Sequence, residues 1–128
     1  MPGHKDWLQK ASADLKLATK ATNDTETIDP AVYLAHQCAE KSLKTFFVFR
    51  GKSVPKTHFL GVLLDDCTKF DAEFMLIARE CAFLEPFGFS TRYPNDTVHV
   101  NQDDLHEALF MSNKVFGFVS TKIQEKAI

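Results

Sequence analysis

The chain has 128 residues, 45% of them hydrophobic and 25% charged, and a formal net charge of −2. That length suits one domain over residues 1–128, large enough to bury a core without disulfide or metal staples. The slight acidity argues against a general nucleic-acid coat protein, which would be basic, and no apolar run approaches the ~20 residues that span a bilayer.

The opening "MPGHKDWLQK" has no apolar signal core, so a cytoplasmic protein without membrane attachment is expected. Asp6 is placed to cap a first helix in which Trp7, Leu8, Ala11, Leu15 and Ala18 recur near the 3.6-residue period. The polar stretch "ATNDTETIDP" ends it. Asp29 and Pro30 predict the restart, a capping carboxylate followed by proline at the first helical position. The second helix runs to Arg50 on an inner stripe of Leu34, Ala35, Cys38, Ser42, Phe46 and Phe49, and Gly51 stops it.

After "GKSVPK", Thr57 is the expected cap of a short third helix carrying Phe59, Leu60, Leu63 and Leu64. Asp71 caps a fourth, with Phe74, Ile77, Ala78, Cys81 and Leu84 inward and an end before Pro86 and Gly88. Asn101 caps a fifth, with Val100 and Leu105 placed to staple its start. Its stripe is Leu105, Ala108, Leu109, Ser112, Val115, Phe116, Val119 and Ile123. No alternating strand pattern and no repeat occurs. The expected class is all-α, an antiparallel up-and-down bundle of about five helices. Cys38, Cys67 and Cys81 each fall in an apolar helical pattern and read as reduced core thiols.

Charge is unevenly spread. Lys41, Lys44, Arg50, Lys52 and Lys56 oppose only Glu40 in the segment from Glu40 to His58, a local +4 that leaves −6 for the rest. If the second, third and fourth helices run up, down and up, one pole collects Arg50, Lys52, Lys56, His58 and the Arg92–His99 loop. Gln37, Lys41 and Lys44 fall at i, i+4 and i+7 on one helix face. Two ammonium groups and an amide there suit phosphate plus a base or sugar edge, or form a solvated face.

His58 stands close to the start of the third helix, where a neutral ring would take a proton or meet a phosphate-proximal hydroxyl, or would only organise the helix start. Arg92 is a two-pronged phosphate ligand, Tyr93 a base-stacking ring and His99 a general acid–base for phosphodiester cleavage. The alternative pairs Arg92 with Asp96 and leaves His99 on the surface. His4, His36 and His106 make no metal-ligand set, and neither metal nor cofactor is expected.

Three segments, "WLQKASADLKLA", "AVYLAHQCAEKSLKTFFVFRGKSVPKTHFLGVLL" and "TRYPND", together resemble the HEPN domain family (higher eukaryotes and prokaryotes nucleotide-binding). The pattern runs through Gln37, Ala39, Glu40, Lys41, Leu43 and Lys44, then Lys56–Thr57–His58, then Arg92–Tyr93–Pro94. The resemblance implies a helical bundle that dimerises, roles linked to nucleotides or RNA, and, for small stand-alone members, work beside a minimal nucleotidyltransferase in a toxin–antitoxin pair. Many members are metal-independent ribonucleases using an arginine and a histidine a few residues later. Here six residues separate Arg92 from His99.

The sequence therefore predicts a dimeric module that binds nucleotide or RNA phosphate through Lys41, Lys44, His58 and Arg92, with Gln37 and Tyr93 on the base or sugar, and that partners a nucleotidyltransferase. The alternatives are an endoribonuclease using Arg92 and His99, and a structural interaction partner without a ligand.

Overall fold

The computed structural model describes residues 2–89 and 100–126. Within them the chain forms α1 (His4–Lys20), α2 (Ile28–Phe49), α3 (Leu60–Phe70), α4 (Ala78–Leu84) and α5 (Gln102–Lys126). Short 3₁₀ segments, Ala72–Ile77 and Glu85–Gly88, flank α4. The expected all-α class holds, and the described residues include no strand.

Local chemistry sets each boundary. α1 begins after Gly3, and Asp6 sits in the first turn, its carboxylate accepting the Gly3 N–H at 2.9 Å. α2 begins at Ile28, one residue before the expected Asp29 cap. Pro30 is tolerated within the first turn because that N–H would find no helical acceptor there. At its far end Gly51 takes φ +70°, and the N–H groups of Gly51 and Lys52 return to the Val48 and Phe47 carbonyls. This is the double bond of a Schellman stop, which needs a residue at ease with positive φ.

Asp71 accepts the Glu73 N–H at 3.0 Å and opens the α4 region as predicted, but one expected helix is three pieces, 3₁₀, α and 3₁₀. Asn101 and Asp104 cap α5 reciprocally, at 2.9 and 3.0 Å.

α2 is the central element, packed against α1, α3, α4 and α5. Its Phe46 is fully buried and its ring meets those of Phe49 and Phe74. Burying such a side chain is worth ~1.5–3 kcal/mol. Polar residues on this buried helix satisfy themselves locally: the Ser42 and Thr45 hydroxyls donate to the carbonyls one turn back, of Cys38 and Lys41. The Ser112 hydroxyl ties α5 to α2 by donating to the Ala35 carbonyl at 2.8 Å.

All three cysteines are buried and free; burial pushes the Cys38 thiol up to about 11 and that of Cys81 to about 12. Among the described residues no helix is long and apolar enough to cross a membrane.

Directions correct one expectation. α2 and α3 run the same way: Cys67 Sγ donates to the Leu43 carbonyl at 3.7 Å, and Phe70 meets Phe47 edge-on at 5.5 Å. The connector 50–59 therefore runs back along α2, which lets His58 reach Glu40 in the middle of that helix. α1 opposes α2, as the Lys41–Asp14 and Phe49–His4 contacts require. α4 returns to bring Glu85 to the start of α3. The start of α3 and the end of α4 do meet, but beside the first half of α2. Arg50 stays at the opposite end, its guanidinium over the Phe70 ring at 5.7 Å. The proposed gathering of Arg50 with His58 at one pole does not occur.

Candidate functional site

A cleft of about 410 Å3 opens where three segments converge, lined by Tyr33 and Gln37 of α2, Lys56–Phe59 of the connector, and Gly88 and Phe89 after α4. Volumes of this order suit small ligands. Tyr33 and Gln37 are one helical turn apart, and the Gln37 amide donates to the Tyr33 hydroxyl at 2.6 Å.

The second wall depends on a carboxylate borrowed from the 3₁₀ segment after α4. The first N–H groups of α3 have no helical acceptor. Glu85 supplies one, accepting from Leu60 at 2.8 Å and Gly61 at 3.0 Å. Thr57, expected to cap α3, accepts the Phe59 N–H at 3.2 Å, and the helix begins only at Leu60. The consequence is that Phe59, expected on the third helix, precedes it and is 54% exposed.

Beneath the cleft lies a buried acid. Glu40 Oε2 accepts from Lys44 Nζ at 3.0 Å and lies 3.0 Å from His58 Nδ1, while Oε1 is buried without a partner. An ionised carboxylate can only accept, so Nδ1 of His58 carries the hydrogen. The imidazole side chain is 81% exposed, which presents Nε2 to solvent. Nε2 then accepts from a hydroxyl when the ring is neutral and donates to phosphate when it is charged. Glu40 is thus the orienting group, and the sequence-level emphasis on the start of the third helix is replaced by this contact.

His36, one turn before Glu40, is buried, and burial lowers its pKa against the opposing pull of Glu40 and Glu85. Its Nε2 stands 3.8 Å from Glu85 Oε2, beyond hydrogen-bond length, and its Nδ1 has no partner. Gly88 lies so close to this ring that a Cβ there would sit 2.5 Å from Nε2.

Of the predicted site residues, Gln37 and His58 line the cleft. Lys41 turns toward α1 and pairs with Asp14 at 2.7 Å, and Lys44 is buried against Glu40. Neither lysine lines the cleft. Lys56 supplies its cationic side chain instead. Arg92, Tyr93 and His99, on which the endoribonuclease reading rests, lie outside the described residues.

Sequence reasoning missed Glu40, Phe59, Glu85 and Phe89 as site-forming groups. The only advance signal was Glu40 itself, an acid amid small and apolar neighbours with His36 and Lys44 one turn away on either side. Among the described residues no group of three or more His, Cys, Asp or Glu side chains is placed to hold a metal ion.

The family model of the HEPN domain matches residues 4–124. This chain belongs to the HEPN domain family. An archaeal HEPN homologue of known crystal structure aligns at TM-score 0.75 and 26% identity, over 96% of this chain and 99% of that one. No curated protein gives a match. In this HEPN chain the "AHQCAEK" and "KTHF" segments that carried the resemblance supply Gln37 and Lys56–Phe59 to the cleft.

Proposed function

We propose that this HEPN protein is a dimeric module that binds nucleotide or RNA phosphate in the Tyr33–Phe89 cleft and works beside a minimal nucleotidyltransferase. The observation that carries the reading is the exposed His58 ring, fixed at Nδ1 by buried Glu40 and flanked by Lys56 and Gln37. Phosphate needs a cationic donor and a directed N–H, which Lys56 and His58 supply. Gln37 offers an amide to a base or sugar edge.

A buried carboxylate with one oxygen unpartnered costs ~1–3 kcal/mol of desolvation. A fold that keeps this cost where His58 is oriented is consistent with a working site. Family membership supports the dimer and the nucleotidyltransferase partner.

Calorimetric titration with ATP, GTP and a short RNA tests the binding. The expected result is heat with at least one of them, reduced about tenfold in affinity by Lys56→Ala, with each hydrogen bond to a charged group worth about 1.5 kcal/mol or more. Absence of heat with all three rejects the reading. Sedimentation of the free chain, and of the chain mixed with a nucleotidyltransferase encoded beside it, tests the assembly.

A further inference from the structure

Phe59 and Phe89 are 54% and 50% exposed, and each lines the cleft. Their rings face each other edge-on, with centroids 6.2 Å apart and planes at 73°. A core position would bury each ring for ~1.5–3 kcal/mol, and the fold forgoes that at two places on opposite walls of one cleft. The cause of each exposure is local. Phe59 is held outside α3 because Glu85 starts the helix at Leu60. Phe89 follows Gly88, whose backbone is pressed against the buried His36 ring. Both rings are therefore placed by rigid neighbours.

Of the other exposed apolar residues, Leu17, Val62, Met75 and Leu76 are not aromatic; Leu76 shares a cleft with the Asn113 amide, Lys114 and Lys122 but offers no π-face. The Phe110 ring, for its part, lies under the Lys114 ammonium at 5.0 Å.

We propose that Phe59 and Phe89 form a stacking platform for one unpaired nucleobase, so that the cleft takes a free nucleotide or single-stranded RNA and excludes a duplex. The inference rests on the nucleotide-binding reading above and adds to it the part of the ligand that is recognised by its π-face. Three observations favour a base over a protein segment. The volume of about 410 Å3 accommodates one base with its phosphate rather than a helix. The rings stand beside His58 and Lys56, the phosphate donors, and beside the Gln37 amide, which reads polar edges. An edge-to-face pair leaves one ring face uncovered for stacking. A paired base cannot enter, because its faces are already covered within the helix and its edge is used by its partner.

The test separates base from phosphate. A short single-stranded RNA carrying 2-aminopurine is titrated into the full chain by fluorescence. Three companions are titrated with it: the same strand with an abasic site at that position, its duplex, and the free 2-aminopurine nucleotide. Expected are quenching on binding and about tenfold tighter binding of the intact strand than of the abasic or duplex forms, in line with aromatic–base stacking measured by substitution. The Phe59→Leu/Phe89→Leu double variant should lose that gap while binding the abasic strand as before, and Phe59→Tyr/Phe89→Tyr should keep it.

Binding of the free nucleotide alone identifies a nucleotide site; binding of the strand alone identifies an RNA site; both keep the platform. Equal affinity for intact and abasic strands, or a gap that survives the leucine variant, overturns the platform and leaves the rings to a protein contact. No binding of any probe overturns the platform together with the nucleotide-binding reading.

Discussion

Two polar clusters at different places in the bundle use the same residue types to different ends. Just after α3, Lys122 lies between Asp71, at 2.9 Å, and Glu73, with Lys126 beyond at 3.8 Å from Asp71. Every charge there has a partner. Burial alone would raise the Asp71 pKa, but the hydrogen bonds from Lys122 and the Glu73 N–H hold it below the usual carboxylate range. The hydrogen bond to Glu73 raises that of Lys122.

Around the cleft, Glu40, Lys44, His58, His36 and Glu85 also adjoin one another, yet Glu40 Oε1 and His36 Nδ1 are buried and unpartnered. A satisfied network fixes the helix ends. An unsatisfied one, with an oriented and exposed imidazole at its edge, is the arrangement expected where a ligand completes the site.

The comparison breaks most visibly when the buried acid is removed. Glu40→Ala leaves the Lys44 ammonium buried without its counter-charge and is expected to cost ~3–5 kcal/mol in urea unfolding. Asp71→Ala leaves Lys122 on Glu73 and mainly removes a cap, for a loss of ~0.5–2 kcal/mol. Equal losses at the two sites would erase the distinction. Next in size, Gly88→Ala drives a methyl against the His36 ring, which is buried and cannot yield. An overpacking loss of ~1–3 kcal/mol is expected, and a stability equal to wild type would show that the His36 neighbourhood is soft.

Acid titration sharpens the contrast. The unfolded chain protonates His36 near 6.5, whereas burial lowers the folded value, so stability falls as pH drops from 6.5 toward that lower value. Asp71 is also depressed on folding, but from 3.8, so its contribution stays intact above that pH and is lost only as pH falls through the folded value. Thermal melts of His36→Asn should therefore flatten the profile just below pH 6.5, while Asp71→Asn should leave that window unchanged and flatten the region below 3.8. The smallest expected effect on stability is from His58→Gln, within about 0.5 kcal/mol because the side chain is exposed, accompanied by weaker phosphate binding. A large loss of stability there would make His58 a structural residue.

Much of the fold was legible in the sequence because helical periodicity and caps are local. The α5 stripe from Leu105 to Ile123, the Asn101 cap and the Gly51 stop were all readable from neighbours a few positions away. The direction of α3 was not. It follows from the connector 50–59 lying back along α2, a matter of packing that no local pattern encodes, and with it went the expected grouping of Arg50 with His58.

At the site, Gln37 stood out as an amide among small and apolar residues. Lys41 and Lys44 shared its face by spacing, but Asp14 on another helix and Glu40 on the same one drew them into internal pairs. Phe59 was expected on the third helix with Leu60, Leu63 and Leu64, and it precedes the helix because Glu85, 25 residues beyond Leu60, sets where the helix begins.

A ligand should enter the unsatisfied cluster and not the satisfied one. Amide chemical shifts of the labelled chain, followed during addition of a short single-stranded RNA, test it directly. Binding in the cleft should change only Tyr33, Gln37, Lys56–Phe59 and Gly88–Phe89, with the shifts of Asp71, Glu73 and Lys122 unmoved. Changes centred on the Lys122 cluster, or none anywhere, would contradict it.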